Sequence, residues 1–221
     1  MSSKSSLLIQ QYEIGPLNNF LYLLGDPSTK EMAIVDPAWD VPFLCQEAAR
    51  LGYKITQVLL THAHPDHVNG LAELLSRYKV PVYVSKHEAK FLTDKLGPLT
   101  GIEDRAPLKI GNIAVEALHA PGHTPGCQVF YFTNAGPAPI AITGDVLFID
   151  GCGRCDLPGG DPKTMYKSLA NVILKLPDDT VVYPGHNYGP TPTDTIGGQK
   201  RTNPYLQCSS MEEFLGERMG I

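Results

Sequence analysis

Residues 61–67 read Thr-His-Ala-His-Pro-Asp-His, which places three imidazoles and a carboxylate in six positions directly behind the apolar run Ile55–Leu60. Packing does not ask for this. Histidine is only sometimes buried, and aspartate almost never without a partner. Imidazole nitrogen and carboxylate oxygen are together the donors that suit Zn²⁺, Fe²⁺ or Mn²⁺. Three more donors recur in one local context, an apolar strand, a glycine, then the ligand-type residue. They are Pro121-Gly122-His123 after Val115–Leu118, Gly144-Asp145 after Ile140–Thr143, and Pro184-Gly185-His186 after Val181–Tyr183. The set is His62, His64, Asp66, His67, His123, Asp145 and His186. Seven donors are too many for one tetrahedral ion and suit two ions, about 4 Å apart, sharing a bridge. Asp145, an isolated carboxylate, is the natural bridge, and Asp66 is placed to orient the activated water, whose pKa two ions would bring to about 7. His87 and His119 fall outside the pattern and read as ordinary polar residues.

The elements that must position these donors are legible from periodicity and turn residues. Strands are expected at Leu7–Ile14, Asn19–Gly25, Glu31–Asp36 and Ile55–Leu60, with a helix at Val41–Leu51 stopped by Gly52. A helix is expected over Val68–Tyr78, a strand at Val80–Val84 and a helix over Lys86–Leu96. A hairpin over Leu108–Leu118 turns at Gly111-Asn112, and strands follow at Gln128–Thr133, Ile140–Thr143 and Thr180–Tyr183. Asp161-Pro162 opens a helix running to Leu176, the Thr- and Pro-rich segment Gly189–Gly198 reads as a loop, and Met211–Met219 closes the chain as a helix. Two β-rich halves, each followed by helices, predict two sheets packed face to face with helices outside. Ligands at several strand ends then converge on one rim.

With 221 residues, 43% hydrophobic and 19% charged, the chain can bury a sizeable core as one domain over residues 1–221. The formal net charge of −5 argues against nucleic acid as a partner, because such proteins concentrate Lys and Arg. No apolar stretch approaches a membrane span, and Leu7-Leu8-Ile9 is too short for a signal-peptide core. Five widely spaced cysteines, an odd number, then point to free thiols in a reducing cytoplasm. Cys152-Gly-Arg-Cys155 is a CxxC, but no second pair exists to complete a zinc site, and thiol lining of the substrate pocket or simple packing is a stronger reading than a redox role.

The series His62-Ala-His64-Pro-Asp66-His67, then His123, Asp145 and His186, resembles in order the HxHxDH…H…D…H series of the metallo-β-lactamase superfamily, across roughly residues 15–205. The resemblance implies an α/β fold, a four-layer αββα sandwich with metals at one edge. It also implies a first metal on His62, His64 and His123, a second on Asp66, His67 and His186, and Asp145 between them. Pro121–Gly126, Thr143–Phe148 and Gly151-Cys-Gly-Arg154 look like the glyoxalase II and persulfide dioxygenase branch, whose members act on glutathione-derived substrates. In that branch Arg154, Tyr188 and Arg201 would contact glutathione, and guanidinium suits its carboxylates.

Two activities follow from the resemblance. A thioester hydrolase of the glyoxalase II type would use two divalent ions, zinc or iron with manganese as a further option. A persulfide dioxygenase would use one Fe(II) on His62, His123 and Asp145. Glyoxalase II proper carries a C-terminal helical domain, whereas 35 residues follow His186 here. The segments Thr202-Asn-Pro-Tyr-Leu206 and Met211-Glu-Glu-Phe214 resemble the dioxygenase tail, while Gly189–Gly198 resembles the hydrolase version. The hydrolase is the expected activity, with a small thiol-derived molecule, a glutathione conjugate, as substrate, and with a homodimer compatible. β-Lactam, lactone and RNA cleavage fit less well, because the Gly-Cys-Gly-Arg segment and the acidic balance oppose them.

Overall fold

The computed structural model describes residues 6–92 and 99–220. The first sheet holds six strands in sequence order, β1 (Leu8–Ile14), β2 (Asn19–Asp26), β3 (Glu31–Val35), β4 (Lys54–Leu59), β5 (Val82–Ser85) and β6 (Leu99–Ile102). Its first three strands pair antiparallel, and from β3 onward the pairing is parallel. The second sheet runs, from its far edge inward, β12 (Asp194–Thr195), β11 (Val181–Pro184), β10 (Ile140–Gly144), β9 (Gln128–Phe132), β8 (Ile113–His119) and β7 (Ala106–Ile110). Here only β10 and β11 are parallel.

Side-chain alternation explains the layering. On β2, Phe20, Tyr22 and Leu24 enter the core between the sheets, whereas Leu21 and Leu23 enter the core beneath the helices. On β9, Phe130 and Phe132 face inward and Val129 and Tyr131 face the opposite helix layer. Strands with both faces covered read as unbroken apolar runs, which is why the alternation is invisible in the sequence itself. Helix α1 (Val41–Arg50) covers the first sheet with Val41, Leu44 and Ala48, and the Asp40 carboxylate caps it by accepting from the Phe43 N–H at 3.0 Å. Two short helices, α2 (Pro65–Val68) and α3 (Leu71–Arg77), follow β4, and α4 (Lys86–Ala89) follows β5. Helix α5 (Pro162–Asn171) covers the second sheet together with α6 (Ile196–Thr202), α7 (Pro204–Gln207) and α8 (Met211–Met219).

The fold class and layer order are those the sequence implies, with local differences. The helix expected over Val68–Tyr78 is two, because α2 is set by the ligand segment and the chain breaks at Asn69-Gly70 before α3 starts. Of the helix expected over Lys86–Leu96, only Lys86–Ala89 forms among the described residues, and its last four positions lie outside them. The helix from Pro162 ends at Asn171 and hands over to a 3-10 turn, Ile173–Lys175. Strand β6 and the pair β12–α6 within and after Gly189–Gly198 had no periodic signal, being short edge or cap elements. No described helix is long and apolar enough to cross a membrane.

Asp26, buried at the end of β2, ties the two sheets together. Its carboxylate accepts from Ser28 N–H at 2.8 Å, from Ser28 O–H at 2.7 Å and from Asn112 N–H at 2.7 Å in the β7–β8 turn. Burial pushes its pKa up, but these hydrogen bonds outweigh that and pull it down to about 2. A depressed folded-state pKa gives stability that is fully present above the unfolded value of about 3.9 and is lost as pH falls towards 2. Asp26→Asn is therefore expected to be less stable at pH 7 by about 1–3 kcal/mol and to lose less on acidification. Urea unfolding at pH 7, 4 and 3 reads both effects, and parallel pH slopes for the two proteins would contradict the assignment.

Candidate metal centre

All seven predicted donors meet at one rim of the sandwich. The first sheet supplies His62 and His64 from the segment after β4, and Asp66 and His67 from α2. The second supplies His123 from the β8–β9 connection, Asp145 just beyond β10 and His186 just beyond β11. Pro65 starts α2 at its first position, where the missing N–H costs nothing, and the turn that follows sets Asp66 and His67 beside each other. Glycine is needed at two of the ligand turns. Gly144 adopts a φ of +50°, and a Cβ on Gly185 would stand 2.3 Å from the Asp145 Oδ1.

The donors fall into the expected trios. Ligand atoms of His62, His64 and His123 lie within 4.8 Å of one another, as do those of Asp66, His67 and His186. The His123 Nε2 is 2.8 Å from the His64 Nδ1, and the His67 Nε2 is 3.1 Å from the His186 Nε2. Asp145 sits between the trios, with Oδ2 at 3.3 Å from His123 Nε2 and 3.4 Å from His186 Nε2, and Oδ1 at 3.3 Å from His67 Nε2. Asp66 Oδ2 is 3.5 Å from both His67 Nε2 and His186 Nε2, and accepts from the Asn19 side-chain amide at 3.0 Å. The Trp39 indole N–H in turn donates to the Asn19 carbonyl oxygen at 2.9 Å.

The outward ring nitrogens of His62, His67, His123 and His186 are engaged. His123 Nδ1 faces the Arg154 carbonyl at 2.7 Å, and His186 Nδ1 the Leu17 carbonyl at 2.8 Å. His67 Nδ1 is 3.0 Å from Asp36 Oδ2, and His62 Nδ1 is 3.0 Å from the Thr61 hydroxyl, which donates to Asp36 Oδ2 at 2.5 Å. These contacts assign the proton to Nδ1 of those four rings and leave their Nε2 lone pairs aimed inward, whereas His64 turns its Nδ1 to the centre. Two buried acceptors of this centre, His62 Nε2 and Asp145 Oδ1, then have no hydrogen-bond partner among the described residues. Facing lone pairs about 3 Å apart, together with orphaned buried acceptors, need a shared proton or a cation between them. The residues present therefore fit two metal ions.

Electrostatics agree. Burial holds His62 well below the usual histidine range, and burial with the neighbouring His123 brings His64 down to about 4, so both keep a neutral, ligand-ready ring. Burial pushes the Asp145 carboxyl up, but the surrounding imidazoles, His67 foremost, outweigh it and hold the group well below the carboxylate range. His67 is raised because Asp145 and Asp36 outweigh its burial. The cluster is built around a positive charge.

Asp36 is the residue the sequence reading missed. Asp36, His62 and His67 also form a trio within 4.8 Å, but the Asp36 oxygens already accept from Thr61 N–H at 2.7 Å, from the Thr61 hydroxyl and from His67. It orients two ligand rings from behind rather than competing with them. Its signal was present, since Val35-Asp36 is another apolar strand ending in aspartate.

The centre opens into a cleft of about 240 Å³ whose walls include Leu17, Phe148, Arg154, Leu157 and Tyr188. Tyr188 stacks on His186 with centroids 4.7 Å apart and is 56% exposed. Arg154 is held at the rim by a bidentate pair with Asp156, at 2.9 and 2.7 Å. Arg201 lies exposed on α6 and is not among the residues lining this cleft. Cys152 and Cys155 are buried, and desolvation raises both thiols, Cys155 to about 11, so neither carries the thiolate that redox exchange needs. His119 is structural, its Nε2 3.1 Å from the Pro125 carbonyl and its ring stacked on His87.

A seven-donor nitrogen and oxygen centre, open to solvent and set at the edge of an αββα sandwich, defines a metal-dependent enzyme. The model of the metallo-beta-lactamase superfamily matches residues 14–186, and the chain belongs to that family. It is 35% identical over 211 residues to human persulfide dioxygenase ETHE1, mitochondrial, covering 95% of this chain and 79% of that one. It is also 35% identical over 197 residues to hydroxyacylglutathione hydrolase GloC of Haemophilus influenzae, covering 82% of this chain and 90% of that one. The crystal structure of ETHE1 from Myxococcus xanthus superposes with a TM-score of 0.86 at 29% identity, covering 97% of this chain and 92% of that one.

Proposed function

We propose that the protein is a metal-dependent thioester hydrolase of the hydroxyacylglutathione hydrolase type, acting in the cytoplasm on a glutathione thioester. The observation that carries this reading is the completeness of both donor trios around Asp145. When bound, two ions would polarise the thioester carbonyl and lower the pKa of a water between them. Asp66, its carboxylate fixed by Asn19, is placed to orient that water and accept its proton. The leaving thiolate has a pKa near that of free cysteine, about 8.5, so no strong general acid is required. Leu17, Phe148 and Leu157 offer apolar walls, and Tyr188 a ring face, to the thiol side of the substrate. Arg154 can receive a carboxylate by exchanging Asp156 for it.

A second reading, a persulfide dioxygenase with one Fe(II) on His62, His123 and Asp145, is favoured by the likeness to ETHE1 over almost the whole chain. Metal analysis of protein purified without added ions, paired with two assays, separates them. The hydrolase reading expects two ions per chain and glutathione release from S-lactoylglutathione. One iron per chain with oxygen uptake on glutathione persulfide would replace it with the second.

A further inference from the structure

Glu88, on the short helix α4, is 1% exposed, yet no lysine, arginine or histidine pairs with it among the described residues. Its two oxygens instead accept backbone hydrogen bonds from two different ligand segments. Oε2 accepts from Ala63 N–H at 2.8 Å, between His62 and His64, and Oε1 accepts from Gly126 N–H at 2.7 Å, three residues beyond His123. One carboxylate thus spans the two sheets at the place where the three-histidine trio must close. The approach is tight enough to require glycine, because a Cβ on residue 126 would lie 2.7 Å from the Glu88 Cγ and 2.9 Å from Oε1. The contact between α4 and the His123 segment is reinforced next door, where His87 stacks on His119 at 4.9 Å and His119 meets the Pro125 carbonyl.

A buried carboxylate balanced only by two peptide dipoles is costly unless a positive charge stands nearby. A place built to receive one is the trio whose segments Glu88 holds. We propose that Glu88 is a positioning residue of the metal centre, a clamp that sets the spacing of His62 and His64 against His123 and supplies part of the negative charge that favours a cation there. The trio formed by Asp66, His67 and His186 is held by Asp36, Asn19 and Leu17 and does not depend on it. The inference rests on two-ion binding at this centre, and not on which reaction follows.

The test is a competition titration of the metal-free protein with Zn²⁺ against a chromophoric chelator. Wild type is expected to take up two ions. Glu88→Gln removes the charge and turns an amide N–H₂ towards one of the two backbone donors. It is expected to weaken one of the two ions by about 10–100-fold, the usual effect of losing an outer partner, while the other stays within about threefold. Gly126→Ala, which keeps the charge but forces Glu88 out of place, should give the same selective loss, and Glu88→Asp a smaller one. Circular dichroism and the thermal midpoint of the metal-free proteins report folding separately. Equal binding of both ions by Glu88→Gln and wild type would overturn the proposal, as would equal weakening of both ions. If Glu88→Gln does not fold, Gly126→Ala and Glu88→Asp decide by the same two outcomes. A wild-type protein that binds one ion would instead defeat the two-ion premise, and an active hydrolase is not needed for any of these readings.

Discussion

Asp145→Asn is expected to lower kcat/KM by at least about 10³-fold, equivalent to about 4 kcal/mol of transition-state stabilisation, and to reduce bound metal to at most one ion per chain. The side chain keeps its volume, so the loss isolates charge and donor count. Asp145 lies within 3.4 Å of ligand atoms from both trios, through His123 on one side and His67 and His186 on the other. An amide would also turn an N–H₂ towards an inward ring nitrogen and satisfy it directly, competing with any cation. Metal content by elemental analysis and turnover on the identified substrate check both halves. A variant that holds two ions and works at near wild-type rate would show that the carboxylate is not the bridge.

Asp36→Ala should damage stability and metal binding together. The side chain is 3% exposed and receives the Thr61 N–H, the Thr61 hydroxyl and the His67 ring. Removing it leaves three buried donors without an acceptor, a class of change that costs about 3–5 kcal/mol. Because Thr61 passes the interaction on to His62, one ligand from each trio loses the contact that fixes its tautomer. Both ions are therefore expected to weaken, by about 10–100-fold each, in contrast to the one-sided loss expected at Glu88. Asp36→Asn should be milder in stability, since asparagine tolerates the φ of +48° found here and can still accept from Thr61 N–H. Chelator titration and urea unfolding of the metal-free proteins separate the two contributions. An Asp36→Ala protein that unfolds at the wild-type urea midpoint would contradict this account.

The cluster of donors was readable because chemistry left a local signature: Asp145 and His186 follow apolar strands and glycine, and His62–His67 has no packing rationale. The carboxylates behind the ligands were harder to see. Asp36 and Glu88 carry no spacing relative to the histidines, since they reach them through hydrogen bonds across 25 to 38 positions of chain. Their function exists only once the strands are paired. The sandwich followed from runs such as Asn19–Gly25 and Gln128–Thr133, where length and composition mark a strand even though both faces are buried. Strands β6 and β12 offered neither length nor alternation, and α6 begins with Ile-Gly-Gly, residues that disfavour a helix until packing and the Thr195 cap at 3.0 Å impose one. Arg201 illustrates the limit of motif matching: its neighbours Gln199 and Asn203 turn inward to hold Asp150 and the Phe148 and Gly151 carbonyls, which leaves Arg201 on the opposite side of the helix.

Each of the two trios flanking Asp145 draws on both halves of the sandwich: His123 joins two residues of the first sheet in one, and His186 joins Asp66 and His67 in the other. Neither of these two cages closes within one half, and in the trio that does, Asp36, His62 and His67, the Asp36 oxygens are already taken, so occupancy would report that the halves have docked. By mass action an ion held a thousandfold above its dissociation constant would contribute about 4 kcal/mol to that docking. The centre is thus a thermodynamic latch between the two faces as much as a reaction vessel, and stripping it should loosen the seam before it unravels either sheet.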